Sequence, residues 1–307
     1  MTLLITTTRR WLETHGPLAG VAAGLALVMA AGLYLASVTD TAFLRTAGAV
    51  PVVAAALIAT LGTALATGAG ALPVLFTRAF SLRAQNAMLG FSAGVMLAAS
   101  MFSLLLPALD SATAMAESKV VGGLIACAGL ILGVALMLAM DRWLPHEHLV
   151  QGRHGPDAQR ISRVWLFVFA ITLHNLPEGL AVGVAFGAGD ATNAVPLAVG
   201  IAIQNMPEGL AVALALLTLN FSPAKATVLA LATGMIEPLG GLLGAGVISI
   251  MRPMLPLGLS LAAGAMLFVI SHEIIPETHH QKGHETVATV SLMIGFILMM
   301  MFDTMLA

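Results

Sequence analysis

Charged residues are scarce in this sequence. Asp, Glu, Lys and Arg make up 9% of the 307 residues, whereas a soluble domain carries about 25%. Hydrophobic residues make up 59%, and the mean hydropathy is +0.97. So apolar a chain cannot cover a surface that faces water, which excludes a soluble globular protein. The net charge of −2 and the lack of a basic patch or an aromatic cluster give no indication of nucleic-acid binding.

Cysteine is almost absent as well. The single residue, Cys127, lies inside an apolar run, so no disulfide can form within the chain. The cysteine content therefore leaves the redox compartment undetermined.

Long apolar runs are what the sequence does contain. Lipid admits only helices and closed barrels, because every backbone polar group must be paired, and these runs lack the alternation of barrel strands. A helix needs about 20 apolar residues to cross a bilayer. We predict an all-α, polytopic membrane helix bundle with nine spans, at roughly 17–39, 46–76, 84–109, 119–141, 163–188, 192–219, 223–250, 254–277 and 286–306.

The first of these spans belongs to an N-terminal segment, residues 1–45, that precedes eight further spans in residues 46–307. It follows Arg9 and Arg10, so a cleaved signal peptide is an alternative interpretation. Its apolar run exceeds the usual signal core of about 7–15 residues, which favours an uncleaved anchor.

The basic residues give the expected orientation. With nine spans, ten of the 13 Lys and Arg residues fall on the side of the N-terminus and three on the opposite side. Basic residues concentrate in cytoplasmic loops. We therefore expect the N-terminus in the cytoplasm and the C-terminus outside.

One polar loop, residues 142–162, lies on the predicted cytoplasmic side and contains His146, His148 and His154. It is either an ordinary solvated loop or a weak metal-collecting loop, since imidazoles so close in sequence can share a cation. The sequence leaves both interpretations open.

A few ionisable residues lie inside the spans rather than at their ends: His174, Glu178, Glu208, Glu237, His272 and Glu273. Three carboxylates near the bilayer centre would cost roughly 8–10 kcal/mol if unpaired, at about 2.5–3.5 kcal/mol each. No Lys or Arg lies at their depth. Either the acids are protonated packing residues, or a cation that is not part of the protein binds among them.

Two copies of one motif carry three of these six residues, "HNLPEG" at 174–179 and "QNMPEG" at 204–209. Side chains three or four residues apart share a helix face, so His174 and Asn175 lie on the same face as Glu178. The second copy repeats this arrangement with Gln204, Asn205 and Glu208. Two neighbouring antiparallel helices would thus present the same ligands at the same depth, as a cage for a cation.

The prolines of the motif add to this hypothesis. Proline lacks an amide hydrogen, so Pro177 and Pro207 are expected to break their helices at the midplane and to free carbonyls that coordinate a cation. Imidazole nitrogen together with carboxylate oxygen suits Zn²⁺ and its neighbours better than Mg²⁺ or Ca²⁺.

At these residues the sequence resembles the bacterial branch of the ZIP (Zrt-, Irt-like protein) family of divalent-metal transporters. The resemblance rests on 174–179, 204–209 and "GMIEPLGG" around Glu237, and it extends from about residue 46 to the C-terminus. It implies an eight-span transporter domain in residues 46–307 that moves zinc into the cytoplasm across the bacterial inner membrane. It also implies that the ligand-bearing helices slide as a block against the others, and that a homodimer forms.

The resemblance further implies a site for two metal ions. The first ion would be bound by Met96, His174, Gln204 and Glu208. The second would be bound by Asn175, Glu178, Asn205, Glu208 and Glu237. The family often carries an aspartate at the position of Asn205, so this chain has one negative charge fewer there. We therefore expect a tightly bound first ion and a weaker second one.

A route for the metal is implied as well. Asp110 and Asp303 match an outer entrance. The residues that match a cytoplasmic exit are Asp141, His146, His148, His272 and Glu273. Zn²⁺ is the expected substrate, and Cd²⁺, Fe²⁺ and Mn²⁺ are other ions that we expect the site to bind.

Three other functions are compatible with the same residues. A metal exporter could use the same ligands, because ligands alone do not determine direction. An intramembrane zinc-dependent hydrolase would need a second histidine, but in "SHEIIPETHH" Pro276 stands where the H-E-x-x-H motif requires it. Proton-linked transport of an organic solute would use the acids as proton carriers.

Overall fold

The computed structural model of the chain describes residues 52–77, 80–143, 146–148, 152–154, 163–279 and 283–306. The predicted N-terminal segment, residues 1–45 with its span at 17–39, lies outside the described residues, as does most of the loop at 142–162.

Within these ranges the fold is helical. The helices are α1 Val52–Ala71, α2 Leu82–Ala98, α3 Leu106–Ala116, α4 Lys119–Trp143, α5 Arg163–Gly187, α6 Ala191–Thr218, α7 Pro223–Gly234, α8 Glu237–Ile250, α9 Leu255–Val269, α10 Ile275–His279 and α11 Glu285–Leu306. The strands are β1 His146–His148 and β2 Gly152–His154, which pair antiparallel in the predicted cytoplasmic loop. Short 3₁₀ turns lie at Leu72–Leu75 and Arg252–Met254.

Eight helical segments in the described part of the chain are long and apolar enough to cross a membrane: Val52–Leu75, Leu82–Ala116, Lys119–Trp143, Val168–Gly187, Ala191–Thr218, Pro223–Ile250, Arg252–His279 and Glu285–Met305. They coincide with the eight spans predicted for residues 46–307. The predicted polytopic helix bundle is therefore confirmed.

The expected helix breaks at the motif prolines are wrong. α5 continues through Pro177, and α6 continues through Pro207. The interruption comes instead at Met235 and Ile236, directly before Glu237 and Pro238, where α7 ends and α8 begins. Because proline has no amide hydrogen to donate, Pro238 favours a new helix start, and Glu237 lies in the first turn of α8.

Two other spans widen without breaking. Ala99–Leu105 connects α2 to α3 as a π-helix, and Ile270–Ile274 connects α9 to α10 in the same way. In each case a proline, Pro107 or Pro276, stands two residues after the end of the π-helix. The proline ring clashes with the carbonyl four residues back, and a wider turn relieves this clash.

The helices pack in two groups. In the first helix group α1 packs on α6 and α8, and α5 packs on α8; in the second, α2 packs on α11 and α4 on α9. The groups meet where α2 lies against α6 and α9 against α5. The largest hydrophobic cluster fills this boundary, with buried side chains such as Met96, Ile201 and Met266.

The glycine of each motif copy allows two helices of the first group to approach closely. A Cβ added at Gly179 would lie 2.1 Å from the carbonyl oxygen of Glu237, and one added at Gly209 would lie 1.9 Å from that of Thr67. Only glycine permits so close an approach of two backbones. The motif therefore ends in glycine because α5 lies directly on α8, and α6 directly on α1.

Three glycines of α8 pack against neighbouring helices of the same chain. Gly240 and Gly244 face the backbones of Leu176 and Leu180 on α5, and Gly241 faces Thr60 on α1. These small residues therefore serve close packing within the chain.

Candidate metal centre

The polar residues of the two motif copies are enclosed within the protein. Asn175, Glu178, Gln204, Asn205 and Glu237 have no exposed surface, and Glu208 is 8% exposed. A buried carboxylate is costly unless it is hydrogen-bonded or paired with a cation. The partners of each side chain therefore decide what the cluster can bind.

The two motif helices meet through Gln204. Its Nε2 donates to Glu178 Oε1 at 2.5 Å and to Asn205 Oδ1 at 3.2 Å. A hydrogen bond to a charged acceptor is short and strong. Gln204 on α6 thus holds the carboxylate of α5 in place.

Asn205 extends the network to two further helices. Its Nδ2 donates to Glu237 Oε1 at 2.9 Å and to the Thr63 carbonyl at 3.2 Å. Thr67 also donates to Glu237 Oε1, at 3.5 Å. Glu237 lies in the first turn of α8, where the unpaired amides and the helix dipole favour a negative charge.

His174 and Glu208 lie in a different part of the cluster from Glu178 and Glu237. His174 Nε2 forms an ion pair with Glu273 Oε2, and the two side chains are 11% and 7% exposed. Glu208 interacts electrostatically with both of these residues and with Glu178 and Glu237. This part of the cluster is the least enclosed. It borders the turn that leads to α10 and the predicted cytoplasmic side.

Five oxygen atoms of the cluster accept no hydrogen bond among the described residues. They are Asn175 Oδ1, Glu178 Oε2, Gln204 Oε1, Glu208 Oε1 and Glu237 Oε2. Buried polar atoms normally have a partner, so five in one cluster need an explanation. Each atom comes from a residue that the resemblance assigns as a metal ligand.

The acids themselves do not converge. In the described ranges, no three His, Cys, Asp or Glu side chains form a preformed metal group. Gln204 and Asn205 lie between Glu178 and Glu237, so amide donors separate these two carboxylates. A cation between these two carboxylates would therefore have to displace the amide donors.

Met96 is 1% exposed and belongs to the core between the helix groups. One turn before it, the Ser92 hydroxyl donates to the Gln204 carbonyl at 3.2 Å. Side chains on a helix lean toward its N-terminus, which directs the Met96 thioether toward the level of Gln204. Its predicted position near the first metal is consistent with this packing.

The two residues predicted to form an entrance lie near the predicted outer ends of their helices. Asp303 is partly buried and accepts a 2.7 Å hydrogen bond from Ser103, which lies in the π-helix after α2. Asp110 is exposed on α3, seven residues after Ser103. Seven residues are about two helical turns, so Asp110 lies on the same face, further out.

Two of the predicted exit residues, His272 and Glu273, lie close to the centre, and the other three lie near the end of α4 and in the hairpin. Glu273 contacts the centre through His174, and His272, its neighbour, stacks on Phe268 with ring centroids 4.8 Å apart. Asp141 lies near the end of α4. In the hairpin, the Cα positions of His146 and His154 are register partners, and His148 pairs with Gly152.

Sequence reasoning missed the hydroxyl residues that support the centre. The Thr67 hydroxyl donates to Glu237 and the Ser92 hydroxyl donates to the Gln204 carbonyl, whereas Thr63 accepts from Asn205 through its backbone carbonyl. The threonines at 60, 63 and 67 share one buried face of α1. This spacing could have indicated a polar face that supports the centre. However, a threonine in an apolar helix usually donates to a carbonyl of its own helix, as Thr60 does to Ala56.

Comparison with known proteins gives the same result as the motif residues. A model of the family described as ZIP Zinc transporter matches residues 144–303. Zinc transporter ZIPB of Bordetella bronchiseptica is 51% identical over 289 residues, which cover 94% of this chain and 91% of the relative.

Two further relatives extend the similarity. Zinc transporter GufA of Myxococcus xanthus is 44% identical over 249 residues, covering 81% of this chain and 98% of the relative. Human zinc transporter ZIP11 is 32% identical over 329 aligned positions, covering 81% of this chain and 96% of the relative. The region that the family model matches includes both motif copies, the helix break at Glu237 and the π-helix at Glu273. The chain therefore belongs to the ZIP zinc transporter family.

Proposed function

We propose that this protein carries zinc across the bacterial inner membrane into the cytoplasm, through a centre formed by Met96, His174, Gln204 and Glu208. The observation that carries the proposal is the set of five buried oxygens without hydrogen-bond partners. A cation in the cluster would be ligated by these atoms and would offset the buried carboxylates. The relatives named above, all zinc transporters by name, support the choice of ion.

The mixture of ligand atoms supports a borderline-soft metal. An imidazole, carboxylate and amide oxygens and a thioether favour Zn²⁺ and Cd²⁺ over Mg²⁺ and Ca²⁺. Fe²⁺ and Mn²⁺ would bind more weakly at such a site, as their place in the affinity order of divalent metals requires.

We further propose a route from Asp110 and Asp303 outside to Glu273 inside. Glu273 contacts His174, a proposed ligand, so it is placed to receive the ion as the ion leaves. His272, Asp141 and the histidines of the hairpin would follow on the cytoplasmic side. The distribution of basic residues supports this direction, with the N-terminus in the cytoplasm and the C-terminus outside.

Hydrolysis would require features that the described residues around the centre do not supply. For hydrolysis, zinc would need an open position and a general acid or base. Around the centre, His174 and Glu273 are paired with each other, and Pro276 stands where a second histidine would be needed. Export uses the same ligands, so only a transport measurement separates it from uptake.

The test is accumulation of radioactive zinc in bacterial cells that lack their own zinc importers. Wild-type protein should raise the zinc content of the cells, whereas an exporter would lower it. Glu208→Ala should lose nearly all uptake, and Glu208→Gln should do the same while it preserves the side-chain volume. The control is Glu117→Gln, an exposed glutamate outside the centre. Wild-type uptake by a well-folded Glu208→Gln protein would contradict the proposal.

A further inference from the structure

Asn175 and Asn205 occupy the same position in the two motif copies, but their surroundings differ. Neither polar atom of the Asn175 side chain has a hydrogen-bond partner among the described residues. In Asn205, by contrast, Nδ2 donates to Glu237 and to the Thr63 carbonyl, and Oδ1 accepts from Gln204. One asparagine is available to a ligand, and the other is fully engaged.

The engaged asparagine links three helices. Asn205 belongs to α6, its carbonyl acceptor Thr63 belongs to α1, and Glu237 begins α8. All of these groups are fully buried, so water does not compete for the hydrogen bonds. To turn Oδ1 toward a metal ion, the side chain would have to give up contacts to both neighbouring helices.

The position of the amides also bears on charge. Glu178 accepts from Gln204, and Glu237 accepts from Asn205, while Gln204 donates to Asn205. A continuous chain of amide donors therefore joins the two carboxylates. Donor hydrogens carry partial positive charge, and they lie where a cation bridging Glu178 and Glu237 would otherwise lie.

On the other side of the cluster, Glu208 takes no part in this chain of amide hydrogen bonds. Glu208 Oε1 has no hydrogen-bond partner among the described residues, and its side chain remains 8% exposed beside His174. An arriving ion can reach this side without disrupting the amide chain.

We propose that Asn205 is a positioning residue rather than a ligand, and that its amide replaces a second cation between Glu178 and Glu237. The chain then carries one zinc ion per cycle, held on the side of His174 and Glu208, with Asn175 free to contribute an oxygen. This inference rests on the proposed function, because it concerns the same centre.

Counting metal ions tests the proposal directly. Purified protein is saturated with zinc and freed of excess by gel filtration, and its zinc and protein contents are measured; calorimetry gives the affinities. Wild-type protein should retain one ion per chain. Asn205→Asp removes the donor and adds a carboxylate beside Glu237, so it should retain two. Asn220→Asp makes the same exchange at an exposed asparagine outside the centre, so it serves as the control and should still retain one.

Each outcome has a defined meaning. Two ions of similar affinity in the wild-type protein would overturn the proposal without reference to any variant, so a poorly folded variant cannot leave it undecided. A folded Asn205→Asp protein that retains a single ion would overturn it as well. Wild-type protein that binds no zinc would instead contradict the proposed function, which separates the two failures.

Discussion

The contact between Gly209 and Thr67 allows a quantitative prediction. In Gly209→Ala the new Cβ would lie 1.9 Å from the Thr67 carbonyl oxygen, and ordinary contact begins near 3.4 Å. The backbones of α6 and α1 must therefore separate by about 1.5 Å at this point. The hydrogen bond from Asn205 to the Thr63 carbonyl, now 3.2 Å, spans the same pair of helices one turn away and would stretch beyond bonding distance.

The expected loss of stability has two parts. Overpacking of a tight interface costs about 1–3 kcal/mol, and a buried polar group left without its partner costs about 1–3 kcal/mol more. A total of roughly 2–6 kcal/mol should lower the melting temperature in detergent by on the order of 10 °C, at about 2–4 °C per kcal/mol for a large domain. Zinc affinity should fall as well, because Asn205 and Glu237 lose their fixed positions.

The chain provides matched controls for this change. A Cβ added at Gly62 on α1 or at Gly246 on α8 meets no atom within 4 Å. Gly62→Ala and Gly246→Ala should therefore leave both the melting temperature and zinc binding near those of the wild-type protein. If Gly209→Ala has the same melting temperature as these controls, the backbone contact inferred between α6 and α1 is wrong.

Three further predictions follow from the centre and the spans. Met96→Ala should weaken Cd²⁺ binding more than Mn²⁺ binding in calorimetry, because only the softer ion gains from a thioether; equal losses would mean that Met96 is a packing residue. Glu273→Gln should slow zinc uptake while zinc binding at equilibrium persists, since the change removes the group that receives the ion from His174; a variant with unchanged uptake would exclude Glu273 from the route. Cysteine labelling in intact cells should reach residues 110–118 from outside but not residues 142–162, and external labelling of position 150 would refute the predicted topology.

The spans and the ionisable residues within them could be predicted from sequence for clear physical reasons. Lipid forces each span to be a long apolar helix, so composition alone locates eight of them in the described residues. The cost of an intramembrane charge makes Glu178, Glu208 and Glu237 conspicuous. Helical spacing then assigns His174 to the same face as Glu178.

The details that failed depend on neighbours that the sequence does not reveal. Pro177 and Pro238 look alike in the sequence, but α5 continues through the first, whereas a new helix starts at the second. Likewise, Asn175 and Asn205 stand in equivalent motifs, and only the packing of α1 and α8 around Asn205 engages its side chain. Local propensity gives no information about such tertiary partners.

The two glycine contacts also define an equivalence between the halves of the centre. Gly179 lies on the backbone of Glu237, and Gly209 lies on the backbone of Thr67. Thr67 on α1 and Glu237 on α8 therefore lie at equivalent places, each against the glycine of one motif copy. One place carries a carboxylate and the other carries a hydroxyl, which donates to that same carboxylate. The two halves of the centre thus differ in charge, and the hydroxyl of one half helps to fix the acid of the other on the side that the amide donors occupy.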